Sequence, residues 1–269
     1  MKHRAPMAGR GLKSRLAAMS LGLTVLLAAA TPSSADEEAA KALFKSMSDF
    51  LAAQKAVSVS YDATLEIVTA EMMKVGLASS GTLSFSRPDK IRMTRTGGIA
   101  NVEMVYDGKT LSAYGKTLNV YGKLPLEGTV DNVIAMLRDE AGLELPAADL
   151  LSAAPYDVMM ENVTDADALG EGMVRGQMCD HLAFRTADVD WQIWVAQGDK
   201  PFPCRFTITS KMTAMAPSYD ITFSGWKAGA EAAADDFQLK PADGAREVDI
   251  TELRGLDEVP QPEAEGDAQ

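Results

Sequence analysis

Apolar and polar residues follow two different periods along the chain, and the change between them marks the first elements. From Asp36 to Lys55 the apolar residues recur at helical spacing, with acidic residues at the start, where the helix dipole favours negative charge. From Val57 to Ile67 every second residue is apolar, as in a strand with one buried face. The sequence therefore predicts an amphipathic first helix followed by a half-buried strand.

The alternating pattern continues in a series of short segments separated by turn residues. It predicts strands at Gly81–Ser86, Ile91–Met93, Val102–Tyr106, Thr110–Tyr114 and Thr117–Tyr121. Pro88 separates the first two strands, Asp107-Gly108 is a tight hairpin signal between the third and fourth, and Gly115-Lys116 offers a turn before the fifth. These strands are expected to form antiparallel meanders.

Helical spacing returns in the middle of the chain and then gives way to strands again. Val130–Leu137 is predicted to be a helix capped by Thr129, and Ala147–Leu151 a second short helix. We interpret Glu161–Gly176, which mixes acids and glycines, as a loop. Further strands are predicted at Cys179–Thr186, Trp191–Ala196, Arg205–Lys211 and Tyr219–Trp226. Together the elements indicate an α+β fold with one large, curved antiparallel sheet.

The first 35 residues are typical of an export signal. Basic residues precede the uncharged apolar run Leu16–Ala30, and small residues follow it, so we expect a signal peptide of residues 1–35 that is cleaved after Ala35. Cleavage after Ala30 satisfies the same small-residue rule. The apolar run is short for a membrane-spanning helix, so we expect a periplasmic protein that is not an integral membrane protein.

The mature chain is predicted to be one domain, residues 36–255, followed by an acidic disordered tail, residues 256–269, which contains two prolines. The whole chain carries a net charge of -12, and the signal region holds only basic charges. The mature protein is therefore still more acidic. Because proteins bind phosphate backbones through Lys and Arg, we expect no nucleic-acid partner.

Two cysteines, Cys179 and Cys204, are candidates for a disulfide in an oxidising compartment. The two cysteines are expected on neighbouring parts of one meander. Their Cα atoms could then lie within about 6 Å, close enough for a disulfide, or one strand too far apart, and both alternatives remain open. A metal site built from these cysteines with Asp180 and His181 lacks the paired close spacings of tetrahedral zinc sites. We therefore predict no metal and no cofactor.

The chain contains few residues that indicate catalysis. His181 is the only histidine outside the signal region, and no nucleophile elbow, zinc-protease motif or phosphate-binding loop is present. Gly170–Gly176 only approaches a dinucleotide-binding pattern, and Asp188 and Asp190 flank a predicted turn, where Asp is favoured anyway. We predict that the protein is not an enzyme. A hydrolase is our third hypothesis, after two non-catalytic binding functions.

Three segments in one order carry a resemblance to a known family. They are Gly81–Pro88 (GTLSFSRP) with Ile91-Arg92, Val105–Leu111 (VYDGKTL) with Tyr114, and Asp236–Pro241 (DFQLKP) with Gly244. They resemble the outer-membrane lipoprotein carrier LolA and its relatives, in which the last segment forms a terminal strand. Cys179–Leu182, Val189–Trp194 and Pro201–Pro203 look closest to a branch of predicted periplasmic proteins classed as a domain of unknown function. Ser112 stands where the carriers commonly have a tryptophan, so the resemblance implies the fold more strongly than the lipoprotein cargo.

The resemblance implies an incompletely closed antiparallel half-barrel, as in LolA, LolB and RseB, whose apolar concave face is covered by a helical lid. Arg87 matches an arginine that holds the lid closed through hydrogen bonds to lid backbone, although an ordinary surface arginine fits the sequence equally. The inward-pointing candidates for an acyl-chain groove are Leu65, Ile67, Leu83, Phe85, Ile91, Met93, Leu111, Phe184, Ile193, Ile208 and Phe223. The same residues also suit a plain sheet-to-helix core.

These observations lead to one main hypothesis and one alternative. We expect a periplasmic, non-catalytic protein that binds a hydrophobic ligand, a lipid or lipoprotein acyl chain, between sheet and lid. The alternative is a module with a filled core that recognises an envelope protein partner. The methionines fit either a flexible groove or core filling. Trp191 and Trp194 point to opposite faces of one strand, so at least one is expected to be partly exposed.

Overall fold

The computed structural model describes residues 34–97, 100–139, 147–232 and 234–250. Apart from Ser34 and Ala35, the predicted signal peptide lies outside these residues, and so does the predicted tail of residues 256–269. Both segments, and the cleavage after Ala35, stay predictions. The described residues all belong to the unit Pro32–Gln269.

A single twelve-stranded sheet forms the body of the described chain, in the order β12-β6-β5-β4-β3-β2-β1-β11-β10-β9-β8-β7. The strands are β1 Ala56–Val68, β2 Lys74–Ser86, β3 Lys90–Gly97, β4 Ala100–Tyr106, β5 Thr110–Gly115, β6 Val120–Pro125, β7 Asp165–Val174, β8 Gln177–Arg185, β9 Val189–Ala196, β10 Pro203–Ser210, β11 Ser218–Ala228 and β12 Arg246–Glu247. All neighbours are antiparallel except β12 and β6. The sheet is curved and open, with β7 and β12 as its two edges.

The helices form a lid, which we define as α1 Ser34–Ala52, α2 Val130–Asp139, the short 3-10 turn Ala148–Leu151 and α3 Pro155–Met160. A further 3-10 turn lies at Gly229–Glu231. Helix α1 packs on β7, β8 and β9 and on α3. Its apolar stripe meets the apolar face of the sheet, as the two periods predict. The predicted half-barrel with a helical lid is confirmed.

Local signals explain the elements that the sequence predicts correctly. In the β4–β5 hairpin, Asp107 Oδ1 accepts hydrogen bonds from the backbone N–H groups of Lys109 and Thr110, both at 2.9 Å. Gly108 takes a φ of +98°, which favours glycine. At the start of α2 the hydroxyl of Thr129 accepts from the backbone N–H of Asn132 at 3.4 Å. The hairpin and the cap are therefore confirmed.

Two sequence predictions are wrong, and a third is misplaced. The strand predicted at Thr117–Tyr121 is β6, which begins only at Val120 because residues 116–119 form the turn after β5. Glu161–Gly176 is not a loop, because most of it forms β7, an edge strand that pairs only with β8 and so tolerates acids and glycines. Gly170 has a φ of +93° and lies where the pairing register between β7 and β8 shifts, as at a β-bulge. The segment Asp236–Gly244 is not a strand, and β12 is only Arg246–Glu247. Phe237 has a φ of +49°, which interrupts extended pairing.

Candidate ligand-binding site beneath the lid

The concave face of the sheet is apolar because alternate residues of each strand point to it. In β1 these are Val57, Val59, Tyr61 and Ala63, all buried. The register carries this face to β2, where Leu83 lies opposite Val59. The lid covers this face with the apolar residues of its own helices.

The predicted groove residues divide into three groups. Those buried in one apolar cluster with lid residues are Leu83, Phe85, Ile91, Leu111, Phe184, Ile193 and Phe223. Met93 and Ile208 are half-buried and pack against this cluster. Leu65 and Ile67 are half-buried further along β1, outside the cluster. The structure therefore brings most of the candidates together in one buried cluster that also contains lid residues.

Aromatic rings fill the space beneath the middle of α1. The Phe44 ring lies 5.8 Å from that of Tyr156 in α3, 5.4 Å from Phe184 and 5.2 Å from Trp191, measured between ring centroids. Phe184 and Trp191 stack at 4.0 Å on the sheet. Lid and sheet are thus in direct contact here.

A second aromatic group closes the C-terminal end of α1. The Phe50 ring meets Phe202 edge-on at 4.9 Å, and Phe202 stacks on Trp226 at 4.8 Å. The indole N–H of Trp226 donates to the Pro203 carbonyl at 2.8 Å, which satisfies its one polar group. The described conformation is therefore a closed lid with a packed interior along α1.

Polar contacts between sheet and lid concentrate at the end where β2 turns into β3. Arg87 Nη2 donates to the Ser152 carbonyl, just after the 3-10 turn, at 3.0 Å. The backbone N–H of Val130 in α2 donates to the Pro88 carbonyl at 2.9 Å, and the Tyr106 hydroxyl donates to the Gly128 carbonyl at 2.9 Å. We call these three hydrogen bonds the clasp.

The guanidinium of Arg87 is half-buried within the clasp. It lies 5.0 Å from the centre of the Phe85 ring, a predicted groove residue. Burial lowers the pKa of Arg87, and the carboxylate of Asp131 acts against that shift. Asp131 also accepts from the backbone N–H of Ala153 at 3.2 Å and so ties α2 to the lid segment that Arg87 holds.

No pattern in the sequence points to the residues that complete the clasp. Tyr106 reads as a strand residue, and Asp131 reads as an ordinary acid in the first turn of a helix. Ser152 lies 65 positions from Arg87. Only the family resemblance pointed to this region, through the expectation that Arg87 donates hydrogen bonds to lid backbone, and it named no partner.

Cys179 and Cys204 form a disulfide, with their Cα atoms 7.0 Å apart. The cysteines lie on β8 and β10, on either side of β9. The register between β9 and β10 shifts between Pro203 and Arg205, and this irregularity accompanies the close approach of strands that are not neighbours. Both cysteines are buried with Val174 and Ala196 on the convex face.

His181 also lies on the convex face, away from the lid. Its ring stacks on Trp194 at 4.1 Å, and its Nε2 pairs with the side-chain oxygen of Gln192 at 2.9 Å. Trp194 is half-buried, whereas Trp191 is buried under the lid, so the two tryptophans do point to opposite faces. The histidine has an amide partner rather than the carboxylate of a triad.

The surface of the described residues includes two depressions. One, of about 360 Å³, lies among polar side chains of β1, β2, β3 and β11, including Asp62, Ser80 and Asp220. The other, of about 290 Å³, is lined by lid residues and includes Asp131 and Arg138. Neither is lined by any predicted groove residue.

Within the described part of the chain, no group of three His, Cys, Asp or Glu residues is arranged to hold a metal ion. No helix among those residues is long and apolar enough to cross a membrane.

The fold is an open half-barrel with a helical lid, and comparison of the sequence with known families shows the family to which the chain belongs. Residues 40–251 match the family described as "Predicted periplasmic protein (DUF2092)". The match covers most of the chain, so the protein belongs to this family. The predicted relationship to a periplasmic branch of unknown function is confirmed. No curated protein sequence matches the chain significantly.

Several solved structures are similar in fold. An uncharacterized conserved protein from Thermus thermophilus matches with 12% identity and a TM-score of 0.45, covering 78% of this chain and 99% of its own. The lipoprotein LppX of Mycobacterium tuberculosis matches with 13% identity and a TM-score of 0.43, covering 74% and 98%. A Pseudomonas aeruginosa MucA/MucB complex matches with 13% identity and a TM-score of 0.42, covering 75% and 61%.

Proposed function

We propose that this protein is a non-catalytic periplasmic binding protein that holds a hydrophobic ligand, a lipid or lipoprotein acyl chain, between the sheet and the lid. The family is one of predicted periplasmic proteins, and the proposed export route is a signal peptide cleaved after Ala35. The ligand site consists of the predicted groove residues under the lid, and Arg87 holds the lid closed.

The incomplete hydrogen bonding of the clasp carries this proposal. Among the described residues, three buried side-chain polar atoms lack a hydrogen-bond partner, and two of them are Arg87 Nε and Ser152 Oγ. Buried polar atoms are normally satisfied, and each exception calls for an explanation. A lid that must open loses little when its polar contact is already incomplete, so we infer that the clasp is built to release.

Binding must displace packed side chains, because the described conformation is closed over an apolar cluster. An acyl chain that enters beneath the lid exchanges the lid's apolar contacts for its own. Burial of each CH₂ contributes about 0.8 kcal/mol, so one long chain gains enough to offset the opening of an imperfectly bonded clasp. The ligand therefore selects the open state.

The test is native mass spectrometry of protein purified from the periplasm, with organic extracts analysed in parallel. Arg87→Leu removes the guanidinium of the clasp. Arg185→Leu is the matched control, because Arg185 is exposed on β8 and pairs with Asp190 at 2.8 Å, away from the lid. Both variants are also titrated with a fluorescent fatty acid.

A stoichiometric lipid or acyl adduct in the wild type and in Arg185→Leu, with changed occupancy in Arg87→Leu, is the expected result. Protein that is free of ligand in all three forms and takes up no fatty acid would contradict the proposal. The extract identifies the ligand in the first case.

A second candidate function, recognition of an envelope protein, is favoured by one observation. The space beneath α1 is filled by aromatic rings in direct contact, and the depressions beside Asp62 and beside Asp131 lie elsewhere. A module of this kind keeps its core and binds through its surface. This function predicts that native mass spectra show a bound protein and no lipid. It also predicts that Arg87→Leu binds that protein as well as the wild type does.

A further inference from the structure

Arg87 carries a half-buried positive charge that forms no ion pair within the described part of the chain. Five other arginines each pair with an aspartate or glutamate: Arg92, Arg138, Arg175, Arg185 and Arg205. The guanidinium of Arg87 has instead the Ser152 carbonyl, 3.0 Å from Nη2, and the face of the Phe85 ring. Charges that leave water are normally paired with an opposite charge. This guanidinium therefore retains the capacity to bind an anion.

The two residues in contact at this point each have a buried polar atom without a hydrogen-bond partner among the described residues. These atoms are Arg87 Nε and Ser152 Oγ, and Ser152 is only 9% exposed. The hydrogen bond from Arg87 Nη2 to the Ser152 carbonyl brings them into one small region, because Nε belongs to the same guanidinium and Oγ to the same serine. Both groups donate hydrogen bonds. The partner that would satisfy both is therefore an acceptor.

Arg87 lies between the apolar cluster beneath the lid and a depression on the surface. On one side it contacts Phe85, a member of the cluster. On the other side it contacts Ser152, which is one of the residues lining the depression of about 290 Å³. Most of the other lining residues of this depression are apolar, namely Ile134, Ala135, Ala153, Ala154 and Val158. The polar end of an amphiphile whose chain is buried beneath the lid is expected at such a boundary.

The acidic side chains beside this depression are engaged by other groups. Asp149 pairs with Arg138 at 2.9 Å, and Asp131 accepts from the backbone N–H of Ala153 at 3.2 Å. The negative charge of Asp131 also acts on Arg87 without forming an ion pair with it. Because like charges repel, Asp131 is expected to weaken the binding of an anion beside this guanidinium. This opposing charge provides a separate test of the charge of the ligand.

We propose that Arg87 and Ser152 form a headgroup subsite at the edge of the lid, and that it binds the anionic group of an acyl lipid, a carboxylate or a phosphate. The inference rests on the proposed function and narrows its ligand to an anionic lipid. When the lid opens, the guanidinium exchanges the Ser152 carbonyl for oxygens of the anion, and the Ser152 hydroxyl donates to the same group. These charge-assisted hydrogen bonds are stronger than the bond to a neutral carbonyl that they replace.

The test compares anionic and neutral lipids that carry the same acyl chain. One pair is oleate and oleyl alcohol, and the other is oleoyl lysophosphatidate and monooleoylglycerol. Equilibrium dialysis of each radiolabelled lipid, below its critical micelle concentration, gives its dissociation constant with the mature protein. The readout is the ratio of the neutral to the anionic constant in each pair. A variant that only changes how often the lid opens alters both constants alike and leaves this ratio unchanged.

Four variants separate the subsite from the lid. Ser152→Ala removes the hydroxyl and keeps the carbonyl that Arg87 binds, whereas Arg87→Leu removes the guanidinium. Asp131→Asn removes the opposing charge and keeps an oxygen for the N–H of Ala153. Ser48→Ala is the control, because Ser48 Oγ is also buried without a partner but lies in α1, outside the clasp. Circular dichroism checks that all forms are folded.

We expect the wild type and Ser48→Ala to bind an anionic lipid about 10-fold more tightly than its neutral partner. This preference should fall in Ser152→Ala, vanish in Arg87→Leu and rise in Asp131→Asn. The pair with the larger preference identifies the headgroup as a carboxylate or a phosphate.

Equal constants for anionic and neutral lipids in the wild type would overturn the subsite and leave the proposed function in place. A preference that is unchanged in Ser152→Ala or in Arg87→Leu would do the same. Failure of all four lipids to bind the wild type would overturn the subsite and the proposed function together.

Discussion

At the scale of single residues, Gly81 lies where a neighbouring strand and a side chain leave no room for a Cβ atom. A Cβ atom at this position would lie 1.9 Å from the Thr94 carbonyl and 2.6 Å from the Tyr61 hydroxyl, which itself donates to that carbonyl at 2.9 Å. Position 81 therefore requires glycine, because the side chain of Tyr61 in the neighbouring strand β1 lies over it.

We therefore predict that Gly81→Ala lowers the free energy of unfolding by about 3 kcal/mol, since backbone and ring must both shift. Gly76→Ala is the matched control in the same strand, because there the new Cβ meets only Thr64 Cγ2 at 3.1 Å. Urea unfolding of both variants measures the difference. Equal stabilities for the two would show that the approach at Gly81 is not restrictive.

Glu66 gives a second prediction at this scale, through pH. The hydrogen bonds from Lys74 and then from Ser218 lower the pKa of the Glu66 carboxyl in the folded protein. A lowered folded pKa means that the folded state binds its proton less readily than the unfolded state. The stabilisation is therefore present above the unfolded pKa and is lost as pH falls through the folded one.

Glu66→Gln should accordingly be less stable than the wild type at neutral pH. The difference should shrink as pH falls below the ordinary pKa of a glutamate carboxyl and vanish once the folded-state carboxyl is protonated. Urea unfolding at several pH values measures it. Glu71→Gln, an exposed acid in the same turn, is the control and should follow the wild type. A Glu66→Gln profile parallel to that of the wild type would refute this linkage.

Residue roles could be predicted from the sequence only where a motif pointed to them. Arg87 was singled out by the family motif, and its contact with a lid carbonyl is what that motif implies. The carbonyl belongs to Ser152 and the second anchor to Tyr106, and neither follows from spacing, because contacts between distant loops leave no periodic pattern.

At the scale of elements, the periodic pattern predicted strands well where one face is buried and poorly at the edge. Strands β1 and β8–β11 alternate because every second side chain enters the core. Strand β7 lies at the edge and carries exposed acids and glycines, so its pattern is typical of a loop. The lid helix α3 is only six residues long, too short for a helical period to be visible.

The segment after β11 is held by side chains rather than by strand pairing. Arg92, on the convex side of β3, forms a two-pronged ion pair with Asp235 at 2.7 and 3.0 Å and donates to the Gln238 carbonyl at 3.0 Å. It also pairs with Glu103 in β4. The side chains of Arg92 and Asp235 are only 19% and 12% exposed.

Arg92→Leu should therefore cost about 3 kcal/mol, because it leaves the largely buried carboxylate of Asp235 without its cation, whereas Glu103 keeps Lys116 at 2.9 Å. It should also open residues 234–245 to limited proteolysis. Arg185→Leu, which removes an exposed ion pair, should cost less than about 1 kcal/mol and leave the digestion pattern unchanged. Resistance of this segment in Arg92→Leu would show that other contacts hold it.

At the scale of the whole molecule, the two faces of the sheet have different surroundings, and β9 places one tryptophan on each face. Trp191 is 4% exposed, under the lid and against Phe44 and Phe184. Trp194 is half-buried on the convex face, between His181 and Arg205. A ligand beneath the lid must come close to the first and stay away from the second.

We predict that a dibrominated stearate quenches the fluorescence of a variant that keeps only Trp191, with Trp194→Phe and Trp226→Phe. A variant that keeps only Trp194, with Trp191→Phe and Trp226→Phe, should be quenched little, because bromine quenches at short range and the sheet lies between. Adding Arg87→Leu to the Trp191-only variant should speed the quenching, since the clasp then opens more often. Equal quenching of both tryptophans would place the fatty acid on the outer surface. Quenching of Trp194 alone would contradict a site beneath the lid.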